Sequence, residues 1–311
     1  MKIVFFGTPS FAAEILAFLL ENQIEILAVV TKPDKPRGRS GKPAFSAVKQ
    51  LVTEKYPLLP LYQPDQASHA AFAEKLKLYG ADLFVVIAYG EIIKQNLLEM
   101  PRLGCINLHA SLLPKYRGAA PIHFALLNGD KESGVTVMEM VQKMDAGDIL
   151  AQAKVPIPAS MNFEELESKL CTLGAQTLLD VIHQYEKKVI SKTPQDSQKA
   201  TYVTKIDPSF AQIDWHQAAE QLHNRVRAFS PRPGAWCPVE IGGQTKRLKI
   251  FRSEVQKDYL GKPGETLVYQ KDEWVVACGK GALKLLQVQL EGKKQLSSED
   301  FIRGISTPPT F

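Results

Sequence analysis

The run CINLHASLLPKYRGAAP, Cys105 to Pro121, holds the densest set of polar side chains able to do chemistry. On a strand, Asn107 and His109 lie two residues apart and share a face. An amide donor beside an imidazole is the pair needed to hold a developing oxyanion and manage a proton. Ser111, Leu112, Leu113 and Pro114 then turn the chain, with the leucines expected as an exposed apolar pair, and Lys115 and Arg117 follow. Downstream, KMDAGDIL (Lys143 to Leu150) sets Asp145 and Asp148 around Gly147. A carboxylate in that turn would reach the imidazole of His109, hold its tautomer and favour its cationic form. Taken alone, the same residues also describe a satisfied strand-end histidine, a solvated basic turn and an ordinary Asp-Gly turn.

A second feature is electrostatic. Between Thr31 and Lys49 stand six basic residues (Lys32, Lys35, Arg37, Arg39, Lys42, Lys49) and one acid, Asp34, a local excess equal to the net +5 of the whole chain. Charge so concentrated suggests a local anionic partner rather than general coating of nucleic acid.

The elements that must position these residues alternate through the first half. IVFF (Ile3 to Phe6) opens as a strand, and Phe11, Ile15, Phe18 and Leu19 recur at helical spacing. Further strands are expected at Glu25 to Val30, Leu83 to Ala88, Cys105 to Ala110 and Val135 to Met140, with a long helix from Asn162 to about Lys187. Strands apolar along their whole length suit a sheet covered on both faces. The fold expected is a Rossmann-like α/β domain, a doubly wound, mostly parallel sheet whose sites lie at strand carboxyl ends. The stretch Lys32 to Pro43, with three prolines and two glycines, reads as a surface loop without regular structure, overhanging that site.

After Lys188 the character changes. Lys192 to Ser209 is polar and reads as a linker. A helix with Ala219, Leu222, Val226 and Phe229 on one face follows, and from Trp236 short alternating runs suggest a small OB-like β-barrel. The expected domains are 1–189, a linker at 190–208, and 209–311.

Other classes are disfavoured. The 311 residues hold no apolar run near the ~20 of a membrane span. MKIVFF is broken by Gly7, Thr8 and Pro9 without a cleavage site, so it reads as the first strand of a cytoplasmic protein. The four cysteines are scattered and suggest inert thiols rather than disulfides or zinc. A nicotinamide enzyme would carry GxGxxG in the first turn, where only Gly7 is present.

The run CINLHASLLPKYRGAAPI with MDAGDIL beyond it resembles the N10-formyltetrahydrofolate-dependent formyltransferases. GTPSFA, VVIAYGEII, MPRLGCINLH, TYVTKID and the barrel resemble the branch acting on methionyl-tRNA. The likeness covers essentially the whole chain. Asn107, His109 and Asp145 mark the superfamily, whereas the basic loop, FSPRPGAW and the C-terminal domain mark the tRNA branch. The resemblance implies transfer of the formyl group of 10-formyltetrahydrofolate, a consumed co-substrate, to the α-amine of methionyl-initiator tRNA for translation initiation. It implies catalysis by Asn107, His109 and Asp145, and folate binding near Val86, Ile87, Tyr89 and Gly90 with Ser111 to Pro114 beside them. Lys35, Arg37, Arg39 and Lys42 are the expected tRNA contacts. No metal is expected, no membrane, and a monomer. The alternatives are formylation of an amino sugar or other small amine, and a non-catalytic RNA-binding module, which would have no use for the three site residues together.

Overall fold

The computed structural model describes residues 1–36, 43–305 and 307–311. Ile3–Gly7 and Leu83–Ile87 are buried at every position, as strands covered on both faces must be. They lie at the middle of a seven-stranded sheet ordered Ile149–Pro156, Glu132–Glu139, Cys105–His109, Leu83–Ile87, Ile3–Gly7, Ile26–Val30, Leu61–Tyr62. The strands from Cys105–His109 to Leu61–Tyr62 run parallel, and Glu132–Glu139 pairs antiparallel with Cys105–His109.

Chain order explains where a site forms. From Ile3–Gly7 the chain builds outward on one side, then returns to add Leu83–Ile87 and Cys105–His109 on the other. The reversal leaves a crevice at the carboxyl ends of Ile3–Gly7 and Leu83–Ile87. There Thr8 donates its hydroxyl to the Tyr89 carbonyl at 2.8 Å. Gly7 is required by packing: a Cβ would sit 2.7 Å from both Ala12 Cβ and the Phe5 ring. It closes a tight strand-to-helix turn.

Helix Ser10–Glu21 buries Phe11, Ala12, Ile15, Leu16 and Leu19. Burying an aliphatic or aromatic side chain contributes about 1.5–3 kcal/mol. Along helix Phe163–Lys187, Gly174 lies against Leu108, where a Cβ would come 2.8 Å from Leu108 Cδ2. The close approach seats the helix directly behind the strand that carries Asn107 and His109.

The chain divides into two compact units, each made of separate stretches. The first comprises 1–118, 134–155 and 167–202; the second comprises 119–133, 156–166 and 203–311. In the second unit, the His123 ring lies 4.1 Å from Phe163 and 5.7 Å from Phe229, centre to centre, and Arg227 donates to the Leu126 carbonyl at 3.4 Å. Those contacts tie helix Pro121–Leu127 to helix Ala219–Phe229.

The second unit's six-stranded sheet is antiparallel and curls around one apolar core. Gln244–Gln256, its longest strand, has register shifts around Arg252 that bend it. Trp274 is fully buried there, stacked 5.0 Å from Phe301. All four cysteines are buried and free, and among the described residues no helix is long and apolar enough to cross a membrane.

Two local expectations change. The basic stretch is flanked by a short antiparallel ladder, Lys35–Pro36 against Pro43–Ala44. Arg37, Arg39 and Lys42 lie outside the described residues. The polar stretch after Lys188 is also more than a tether: Ile149 and Thr193 exchange backbone hydrogen bonds at 2.8 and 2.9 Å.

Candidate active site

Strand Cys105–His109 pairs with Leu83–Ile87 on one side and Glu132–Glu139 on the other, which fixes Asn107 and His109 at its carboxyl end. Asn107 is half-buried, and no hydrogen bond joins its side-chain amide to any described residue. His109 is only 7% exposed. Its Nε2 donates to the Tyr116 carbonyl at 2.9 Å, leaving Nδ1 to face Asp145 Oδ2 at 3.9 Å. Asn107 and His109 thus stand two residues apart on one strand, and Asp145 faces the imidazole.

Both loops that touch His109 contain a residue in the left-handed region. Tyr116 has φ 61° and Asp145 φ 49°. For a bulky Tyr this conformation is uncommon, and such residues cluster where a backbone group must be aimed. Here the first aims a carbonyl at the imidazole, and the second aims a carboxylate. Asp145 Oδ2 accepts the Gly118 N–H at 2.8 Å. The Asp145 loop sits tightly on its neighbour, since a Cβ at Gly147 would lie 2.8 Å from the Glu139 carbonyl carbon.

The turn Ser111 to Pro114 is built into the sheet. Ser111 donates to the Lys115 carbonyl at 2.6 Å. Leu113 is 3% exposed; its N–H meets Thr136 Oγ1 at 3.1 Å and its carbonyl meets Gln152 Nε2 at 2.8 Å. Leu112 is half-buried over Gly134, where a Cβ would collide with it. The leucines are therefore not an exposed pair: a glycine opposite and a buried threonine draw the turn inward.

On the other side of the crevice, Val86, Ile87 and Tyr89 are buried. Tyr89 packs edge-on to Phe6 at 5.5 Å, and burial pushes its phenol far up. Only backbone and the exposed Ala88 and Gly90, both with positive φ, present this segment outward.

Sequence reasoning missed two side chains. Arg117, expected on a solvated turn, is 1% exposed. Its Nε and Nη2 both donate to Gln195 Oε1, at 3.1 and 2.7 Å. Gln195 Nε2 in turn donates to the Asp145 carbonyl at 3.0 Å and the Gly147 carbonyl at 2.7 Å. Thr201 adds to this stitching: its hydroxyl accepts the Tyr116 N–H and its carbonyl the Arg117 N–H, each at 2.8 Å. The spacing of polar residues in a supposed linker carries no signal of this. Lys35, by contrast, is exposed, while Lys32 pairs with Glu91 at 2.6 Å and Lys49 with Asp34 at 2.5 Å. Among the described residues no three metal-binding side chains gather.

An amide, a tethered imidazole and a positioned carboxylate near a strand end have the chemistry that oxyanion-stabilised acyl transfer requires. The family model of the formyl transferases matches residues 1–182, and that of the formyl transferase C-terminal domain matches 205–306; the chain belongs to the formyl transferase family. Within it, the chain is 52% identical over 306 residues to the methionyl-tRNA formyltransferase of Protochlamydia amoebophila, covering 98% of this chain and 96% of the relative. It is 40% identical to that of Chlamydia caviae, over 98% and 96% of the two chains. The fold is shared with WlaRD, a sugar 3N-formyl transferase solved with dTDP and 5-N-formyl-THF, at TM-score 0.66 and 20% identity over 94% of this chain and 99% of that one. It is also shared with HypX from Aquifex aeolicus in complex with tetrahydrofolic acid, at TM-score 0.64 and 19% identity over 97% and 47%.

Proposed function

We propose that the chain transfers the formyl group of 10-formyltetrahydrofolate to the α-amine of methionine carried by initiator tRNA. The observation that carries this reading is the 52% identity, over 98% of the chain, with a relative named for methionyl-tRNA formylation. The site supports it chemically.

The amine attacks the formyl carbon, a C–N bond forms, and the formyl oxygen takes negative charge. Asn107, whose amide has no partner among the described residues, donates to that oxygen. Such a donor is typically worth ~10²–10³ in rate. His109 has Nε2 committed to Tyr116, so Nδ1 is the nitrogen that works in the reaction. Asp145 faces Nδ1 and takes up the proton that the amine must lose, through His109 or a water molecule. Collapse of the intermediate breaks the bond to folate N10, which leaves protonated as tetrahydrofolate. The folate lies between the Ser111 to Pro114 turn and the backbone of Val86 to Gly90. Because Val86, Ile87 and Tyr89 are buried, this side holds the pteridine through peptide groups rather than those side chains.

Lys35, Arg37, Arg39 and Lys42 draw in the phosphates near the tRNA acceptor end. In the second unit Lys246, Arg247 and Lys249 add a weaker basic surface. Arg247 lies 4.2 Å over the Trp236 ring, and Lys249 donates to the Pro233 carbonyl at 2.7 Å.

The test is direct competition among acceptors. Purified protein and 10-formyltetrahydrofolate are offered methionyl-initiator tRNA, free methionine and a nucleotide-linked amino sugar. Formylation of the charged tRNA is expected to dominate. Preferential formylation of the amino sugar would replace this reading with its nearest alternative.

A further inference from the structure

We infer that Gln195 and Arg117 are positioning residues that set the Asp145 carboxylate against His109. The polar segment around Gln195 is thus part of the active site and not a tether. The inference rests on the proposed role of Asp145 and goes beyond it.

The argument starts from one amide. Gln195 Oε1 accepts both Nε and Nη2 of Arg117. Two donors of one rigid guanidinium on one oxygen determine which way the amide faces, because a flip would set its NH₂ group against Arg117. Orientation fixed, the NH₂ group lies opposite the carbonyls of Asp145 and Gly147 and bonds to both. One of those carbonyls belongs to Asp145 itself, the residue held at φ 49°, and the other lies two residues on in the same loop. An aspartate tolerates the left-handed region only at a cost, and two hydrogen bonds from a fixed donor hold it there.

The contacts close into a ring. The backbone on either side of Arg117 touches both reacting groups: Tyr116 accepts from His109 through its carbonyl, and Gly118 donates its N–H to Asp145. The Arg117 side chain reaches the same Asp145 loop through Gln195. Burial adds weight to each link. Arg117 is almost wholly shielded from water, so loss of its acceptor would leave buried donors unpaired, and the loop would move to satisfy them. A shift of about 1 Å in a catalytic group suffices to cost ~10²-fold in rate.

A double-mutant cycle in the full-length enzyme tests this. Gln195→Glu keeps the size and the acceptor for Arg117 but turns the donor into an oxygen facing two carbonyls. It is expected to lower kcat about 10- to 100-fold, leave the KM values for formyl-folate and charged tRNA nearly unchanged, and leave the circular dichroism spectrum intact. In an Asp145→Asn background the same change should cost less than about 3-fold, because the group it positions is already disabled. Gln195→Met, which has no hydrogen-bonding amide, should show the same non-additivity. Equal fold-losses in the two backgrounds, or full turnover in Gln195→Glu, would overturn the inference. An Asp145→Asn enzyme as fast as the parent would instead overturn the catalytic reading of Asp145, and the positioning role with it.

Discussion

Gly147→Ala is the substitution whose effect follows most directly from the geometry. The new Cβ would sit 2.8 Å from the Glu139 carbonyl carbon and nearer still to its oxygen, whereas real Cβ atoms essentially never come within 3.0 Å of such neighbours. Neither partner is a flexible side chain. Loop and strand must therefore part by about 1 Å, and overpacking of this kind costs roughly 1–3 kcal/mol of stability. The loop that moves carries Asp145 two residues earlier, with its carboxylate on the Gly118 N–H. Displacement by about 1 Å is worth ~10² in kcat, far more than loss of folded protein at 25 °C would give. Single-turnover formylation of charged tRNA at saturating formyl-folate isolates the chemical step, and a thermal melt reports the stability cost. Gly147→Ala with a lowered melting temperature but unchanged single-turnover rate would refute the reasoning, since the loop would then bend without moving its carboxylate.

Three other outcomes are expected. Asn107→Ala should reduce turnover ~10²–10³-fold with a normal melting temperature, because its amide bonds to nothing among the described residues; steady-state kinetics and calorimetry check this. Burial between Phe163 and Phe229 pushes His123 down to about 4, against 6.5 in the unfolded chain, so the unfolded state binds the extra proton between those values. Stability is therefore full above about pH 6.5 and falls with acid, by about 1–2 kcal/mol at pH 5, and a urea titration at pH 7 and 5 should find that difference shrunken in His123→Phe. Arg39→Ala should raise KM for charged tRNA while formyl-folate binding, read by equilibrium fluorescence, stays nearly constant.

The chemistry was legible where it depends on local periodicity. Asn107 and His109 share a strand face by alternation alone, and the strand-helix order places that end of the strand at a crevice. Spacing alone leaves Asp145 as one of two acids beside a glycine; the family resemblance singles it out from Asp148, and the fold sets it 3.9 Å from His109 Nδ1. What stayed hidden depends on contacts far apart in sequence. Gln195 lies 78 residues from Arg117 and 50 from Asp145, and a polar residue near prolines looks the same whether it meets water or a buried loop. Arg117 reads as a solvated turn residue because nothing near it in sequence reveals that burial awaits. Helix Pro121–Leu127 comes soon after the strand that carries Asn107 and His109, yet its stretch belongs to the second unit, a grouping made by His123, Phe124 and Leu126 against partners about a hundred residues on.

The ion pairs flanking the basic stretch change how it would bind a polyanion. Lys32 is held by Glu91 and Lys49 by Asp34, so at most four of the six cations from Thr31 to Lys49 are left to exchange small ions for phosphate. Each phosphate contact adds about 0.7–0.9 to the slope of log affinity against log salt. Six free cations would lose roughly 10³ in affinity between 50 and 200 mM salt, and four only about 10². The two internally paired lysines release no counterions on binding. They spend their charge inside the protein, so the proposed grip of this stretch on tRNA would be less sensitive to ionic strength than the sequence suggests.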